Sequence, residues 1–165
     1  AINPRGEVPA LELDDGMVIT ESVAICLYLE ESEAGAPLFG LTPEEKALVL
    51  MWDRRIEWDG LHAVAEMLRN GHPAFANRAL PGPIDYEQIP QLVERGRRRL
   101  GYFFDTLDER LAHNTYVAGE FFSLADITAL VTIDFARVVD MRIPEEKTHL
   151  KRWYDAVSTR PSAKA

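Results

Sequence analysis

Cysteine is almost absent: Cys26 stands alone in 165 residues. An intrachain disulfide is therefore excluded, and neither CxxC redox chemistry nor a cysteine-based zinc site can be built. Such usage fits a reducing compartment. Basic charge is in deficit, with 18 Lys and Arg against 27 Asp and Glu and a formal net charge of -9. That balance disfavours a sequence-independent grip on nucleic acid phosphates or an anionic membrane surface. A small anionic ligand would need a local device such as a helix N-terminus. No apolar run approaches the roughly 20 residues of a membrane helix, and no signal-peptide pattern is present. The expectation is a soluble, cytoplasmic protein without a nucleic acid or membrane partner. There is also no initial methionine: Ala1-Ile2-Asn3-Pro4 reads as the middle of something, so an incomplete N-terminal side is expected.

What is present divides in two. Val8, Ala10, Leu11 and Leu13, then Asp14-Asp15-Gly16, then Met17, Val18 and Ile19 predict a hairpin of short strands. Glu21-Ser22 opens an almost wholly apolar helix through Leu29, which requires cover on more than one side. Residues 32–41, with Gly35, Pro37 and Gly40, read as a linker.

Beyond the linker the pattern is helical. Thr42-Pro43-Glu44-Glu45 is a capping box with proline at the first helical position, predicting a helix to Asn70-Gly71. A Pro/Gly-rich loop follows, then a helix from about Tyr86 or Pro90 to His113, interrupted by Gly96 and Gly101. Ser123 with Asp126 forms a second capping box and predicts a helix from Leu124 to about Val138. A last helix is expected from near Pro144 to before Arg160-Pro161. The fold class expected is α+β, mostly α. A hairpin and one helix cannot stand alone, because two strands are marginal in water and leave an open edge. Further strands are expected on the N-terminal side, since everything C-terminal is helical.

The segment Asn3-Pro4-Arg5-Gly6-Glu7-Val8-Pro9-Ala10-Leu11, then Asp15-Gly16, then Ile19-Thr20-Glu21-Ser22-Val23-Ala24-Ile25, with Tyr28-Leu29, resembles the second half of the thioredoxin-like domain of glutathione transferases. The remainder resembles that family's all-helical C-terminal domain, including Ser123-Leu124-Ala125-Asp126 and Trp153 to Arg160-Pro161-Ser162. The resemblance spans essentially the whole chain and is of the cytosolic, bacterial-like type. It implies residues 1–31 as the C-terminal half of a glutathione-binding domain, 32–41 as linker and 42–165 as the helical domain.

The resemblance also implies roles. Val8 would offer its backbone to the cysteinyl part of glutathione, with Pro9 following a cis bond. Glu21-Ser22 would hold the γ-glutamyl end: the hydroxyl and helix-terminal N–H groups receive its carboxylate, and Glu21 accepts its ammonium. Arg5 would lie near the glycyl carboxylate. The acceptor pocket should fall between the domains, with Met51, Trp52, Arg55, Trp58 and Asp59 as candidate walls. Cys26, mid-helix among apolar neighbours, reads as a small buried hydrophobe. His62, His72, His113 and His149 show no metal-ligand spacing, so no metal is expected.

The family lowers the pKa of the glutathione thiol with a serine, tyrosine or cysteine of its first strand-helix unit, and the thiolate attacks an electrophile. That unit has no match in this sequence. The expected activity is conjugation of glutathione to a small apolar electrophile by a homodimeric transferase, with these 165 residues inactive by themselves. The alternatives are a non-enzymatic binding or assembly module on the same fold, or glutathione-dependent peroxidase or thiol-disulfide exchange chemistry.

Overall fold

A computed structural model of the chain describes residues 2–4, 6 and 8–164. Strands β1 (Ala10–Glu12) and β2 (Val18–Thr20) pair antiparallel, with Ala10 opposite Thr20 and Glu12 opposite Val18. The turn between them is closed locally. Leu13 N–H donates to Met17 O at 2.9 Å, Gly16 N–H donates to Leu13 O at 2.9 Å, and Asp15 Oδ1 accepts from Met17 N–H at 2.9 Å. Gly16 takes φ 85°, which a side chain would resist. Helix α1 (Ser22–Ser32) follows directly.

The linker is bound to both halves. The carboxylate of Glu30 on α1 accepts from Leu38 N–H at 2.6 Å and Phe39 N–H at 3.2 Å, while Leu38 O accepts from Leu124 N–H at 2.9 Å. Phe39, Val49, Ala118 and Leu124 form a small core on which Val23 and Cys26 of α1 pack. Cys26 is thus a half-buried packing residue. The other side of α1 leaves Leu27, Tyr28 and Leu29 exposed.

The helical part comprises α2 (Pro43–Ile56), α3 (His62–Gly71), α4 (Gln91–Leu111), α5 (Leu124–Ala136) and α6 (Thr148–Ser158). Thr42 begins α2 as its composition requires: its Oγ1 accepts from Glu45 N–H at 3.2 Å and Glu45 Oε2 returns the contact to Thr42 N–H at 3.3 Å. The principal core gathers Leu100, Phe104, Leu107 and Leu111 of α4 with Val64, Ala129, Ile133, Leu150 and Trp153. No helix among the described residues is long and apolar enough to cross a membrane.

Two helices depart from the sequence pattern for tertiary reasons. The single helix expected from Thr42 to Gly71 contains a π-helical turn at Glu57–Leu61. At its centre Gly60 is buried so closely that an added Cβ would lie 2.7 Å from Thr132 Cγ2 and 2.9 Å from the Phe103 ring. The last helix starts at Thr148, later than Pro144, because Asp108 of α4 caps it from outside. Its Oδ1 accepts from His149 N–H at 3.0 Å and Leu150 N–H at 2.9 Å.

Candidate functional site

The hairpin brings two sequence-distant pairs to one end. Ala10 opposes Thr20 at the end of the antiparallel ladder, so Val8-Pro9, which lead into β1, and Glu21-Ser22, which follow β2, flank the same end of the hairpin. The Val8–Pro9 peptide is cis, and Val8 is 87% exposed, leaving its backbone at the surface. Glu21 occupies the N-cap position of α1 with φ 71° and ψ 122°. A positive φ on a non-glycine residue costs of order 1 to 3 kcal/mol and concentrates at functional positions. Its carboxylate caps nothing. Ser22 follows as the first residue of α1, beside amides that have no acceptor within their own helix. Hydroxyl, helix-terminal N–H groups and a carboxylate with no cap contact among the described residues thus share one corner, suited to a carboxylate and an ammonium on the same carbon. Arg5 lies outside the described residues.

This corner opens on a cleft of about 470 Å³ between α1, α2 and α5, lined by Glu21, Ser22, Val23 and Cys26 on one side. Asp53, Arg54, Glu57 and Leu61 come from α2 and the π-helical turn, and Leu124, Ile127, Thr128 and Val131 from α5. Its lining is mostly apolar, with charge confined to the α1 end and to α2. Arg54 contacts Glu57, and His62 Nε2 lies 3.6 Å from Glu57 Oε1. Burial pushes the Asp53 carboxyl above the usual carboxylate range, against the Thr128 hydroxyl contact. Burial, then Asp53 and Glu30, push the Cys26 thiol up, so it stays a thiol.

Met51, Trp52, Arg55 and Trp58, the expected walls, are not brought to this cleft. Trp52, Arg55 and Asp59 line a separate hollow of about 340 Å³ with Tyr102, Phe103 and Thr106. Trp52 is 7% exposed with Arg55 and Arg110 over its ring, so it is core. Trp58 is 61% exposed, with the Arg99 guanidinium over its ring and the His62 ring tilted against it. The reason is helical phase. At about 100° per residue, Asp53, Glu57 and Leu61 share one face, and Trp52, Arg55 and Asp59 lie roughly half a turn away. The residues of α2 and its π-helical turn that face this cleft, Asp53, Glu57 and Leu61, follow i, i+4, i+8 spacing. Among the described residues no group of three His, Cys, Asp or Glu side chains is gathered to hold a metal.

Comparison with known proteins decides the family. The model of the glutathione S-transferase C-terminal domain matches residues 63–161, and that of the glutathione S-transferase N-terminal domain matches residues 1–32. Glutathione S-transferase 2 of Saccharomyces cerevisiae is 36% identical over 170 residues, covering 99% of this chain and 68% of the relative. The chain belongs to the glutathione S-transferase family. The crystal structure of Gtt2 from the same yeast superposes with a TM-score of 0.86 at 35% identity, over 96% of this chain and 74% of that one. Elongation factor 1-gamma of Prunus avium is also similar, 30% identical over 165 residues, covering 99% of this chain but 36% of that protein. As a member of that family, the chain carries a hairpin and helix of the thioredoxin-like part joined to the helical domain.

Proposed function

We propose that the protein conjugates the glutathione thiolate to a small apolar electrophile. In this reading the Val8 backbone holds the cysteinyl part and Glu21-Ser22 the γ-glutamyl end, with Pro9 setting the turn and Arg5 near the glycyl carboxylate. The observation that supports it is that Glu21 and Ser22 stand at the start of α1 at the end of the hairpin to which Val8–Pro9 leads, with Glu21 in a positive-φ conformation. A strained, uncapping glutamate there has a ligand to serve and little structural use.

Conjugation needs a thiolate near neutral pH, and hence a hydroxyl or thiol aimed at the sulfur. The lone thiol, Cys26, is held protonated and already packs in the core, so we assign that group to residues other than these 165. The exposed Leu27, Tyr28 and Leu29 of α1 and the open edges of the hairpin fit a larger sheet. The electrophile is placed in the apolar cleft, with Leu61, Ile127 and Val131 in contact and Met51, Trp52, Arg55 and Trp58 outside. A cytoplasmic location and a homodimer are part of the proposal. For the dimer, exposed Tyr102 lies with Arg55 and Asp59 in the hollow on the face away from the cleft, where opposite charges on one patch suit a two-fold contact.

The test compares this chain with a form extended upstream by about 50 residues, a small-domain portion, for retention on immobilised glutathione and conjugation of 1-chloro-2,4-dinitrobenzene. Retention and turnover by the extended form alone support the reading. The similarity to elongation factor 1-gamma favours a second reading, an assembly module without catalysis. A folded, dimeric extended form that neither binds nor conjugates puts that reading first.

A further inference from the structure

The floor of the cleft holds a carboxyl without a charge partner of its own. Asp53 has no exposed surface, and its Oδ2 has no hydrogen-bond partner among the described residues. Its Oδ1 lies 2.6 Å from Thr128 Oγ1, and that hydroxyl oxygen also lies 3.2 Å from the Leu124 carbonyl oxygen. A hydroxyl has one proton to give. Were Asp53 a carboxylate, Thr128 would face two acceptors with that single proton, and a second carboxylate oxygen would stay buried with nothing. With the proton on Asp53, both contacts become hydrogen bonds: the acid donates to Thr128, and Thr128 donates to Leu124 O.

The surroundings of Asp53 favour the neutral form from each element that packs on it. On its own side stand Arg54, 65% exposed at its side chain and contacting Glu57, and Glu57 itself. From α1 comes the Cys26 thiol, with Glu30 beyond it, and Glu21 lines the same cleft. The α5 wall supplies Thr128 with apolar Leu124, Ile127 and Val131. Burial raises the Asp53 carboxyl, and the single neighbouring cation is the weakest influence on it.

We propose that Asp53 is a protonated latch: as the neutral acid it ties α2 to α5 beneath α1 and thereby positions Glu21–Ser22, and its ionisation loosens that junction. The device deepens the glutathione reading, on which its functional consequence rests. Asp53 is a positioning residue that acts through α1. The sign follows from linkage. A carboxyl whose folded-state pKa lies above its unfolded value is held protonated by the fold, so stability falls as pH rises from the ordinary carboxylate range to the raised value and is level above it.

The test reads the junction directly on the intact chain. The Asp53 side-chain carbon signal is followed against pH by NMR, together with hydrogen-exchange protection of α1 amides, in wild type, Asp53→Asn and Thr128→Val. Expected are a titration above the ordinary carboxylate range and an α1 protection that drops at least tenfold across it. In Asp53→Asn, whose amide still donates to Thr128 and cannot ionise, protection should not vary across that window. Thr128→Val should lower it at every pH. An ordinary titration, or an Asp53→Asn profile that tracks wild type, overturns the latch. Glutathione affinity of the extended form, measured over the same range, separates the two proposals. If the titration and protection change are found while glutathione does not bind at any pH, the latch stands and the glutathione reading falls.

Discussion

The indole N–H of Trp153 donates to Asp126 Oδ1 at 2.8 Å, joining α6 to the start of α5 through two residues that are almost fully buried. The same carboxylate accepts from Val117 N–H, Ser123 N–H and Ser123 Oγ–H, each at 3.0 Å. Burial raises the Asp126 pKa and these donors oppose it. A local capping box has thus become the polar knot of the helical domain, its α5 carboxylate satisfying donors from the α4–α5 loop, including the N-cap Ser123, and from α6.

Removing the acceptor should therefore cost more than a helix cap. Asp126→Ala strands four donors in the interior, and the expected loss is about 3 to 5 kcal/mol, against ~1 for a surface cap. Trp153→Phe removes one donor while keeping most of the ring, with an expected loss of roughly 1 to 3 kcal/mol. Urea denaturation of each variant measures both. A loss in Asp126→Ala no larger than that of Thr42→Ala would contradict the knot.

Two glycines of one helix should respond in opposite directions. A Cβ at Gly96 would lie 2.8 Å from the Ala63 carbonyl oxygen of α3 and 2.6 Å from Met67 Cγ, while nothing lies within 4 Å of one at Gly101. Gly96→Ala should destabilise by about 1 to 3 kcal/mol, because a backbone oxygen cannot step aside. Gly101→Ala should stabilise by up to roughly 1 kcal/mol from helix propensity alone. Thermal unfolding of the pair, side by side, checks the α3–α4 contact without reference to function.

Glu21 should show a conflict between stability and binding. Its φ of 71° is easy for glycine and costly for glutamate. Glu21→Gly is expected to raise stability by roughly 1 kcal/mol, the lower end of such strain, while removing glutathione retention in the extended form. Glu21→Ala should lose retention without that gain. A Glu21→Gly protein that unfolds more easily than wild type would mean that the carboxylate supports the fold.

These residues also mark what the sequence makes legible. The capping boxes at Thr42 and Ser123 are local patterns, and both helices start where those residues require. Val8–Pro9 and Glu21–Ser22 are readable as motifs in order, and the hairpin pairing puts both at one end of the two strands. The π-helical turn was not readable, because its cause is the approach of Phe103 and Thr132 to Gly60 from distant segments. The start of α6 was misplaced because its cap, Asp108, lies about 40 residues upstream, where no local pattern points to it. The cleft beside Glu21–Ser22 is lined by a different face of α2 from the one carrying Trp52 and Arg55, and since both faces of that helix carry large or charged side chains, phase alone does not say which one meets α1 and α5.

The central claim is that Glu21 and Ser22 hold glutathione. Its most direct test is calorimetric titration of glutathione into the extended protein at neutral pH, comparing wild type with Glu21→Ala and Ser22→Ala. The account predicts measurable binding in wild type and at least tenfold weaker affinity in each variant, the loss of one charge-assisted contact of about 1.5 to 3 kcal/mol. Equal affinities in all of them, with folding intact, would place glutathione elsewhere and contradict it.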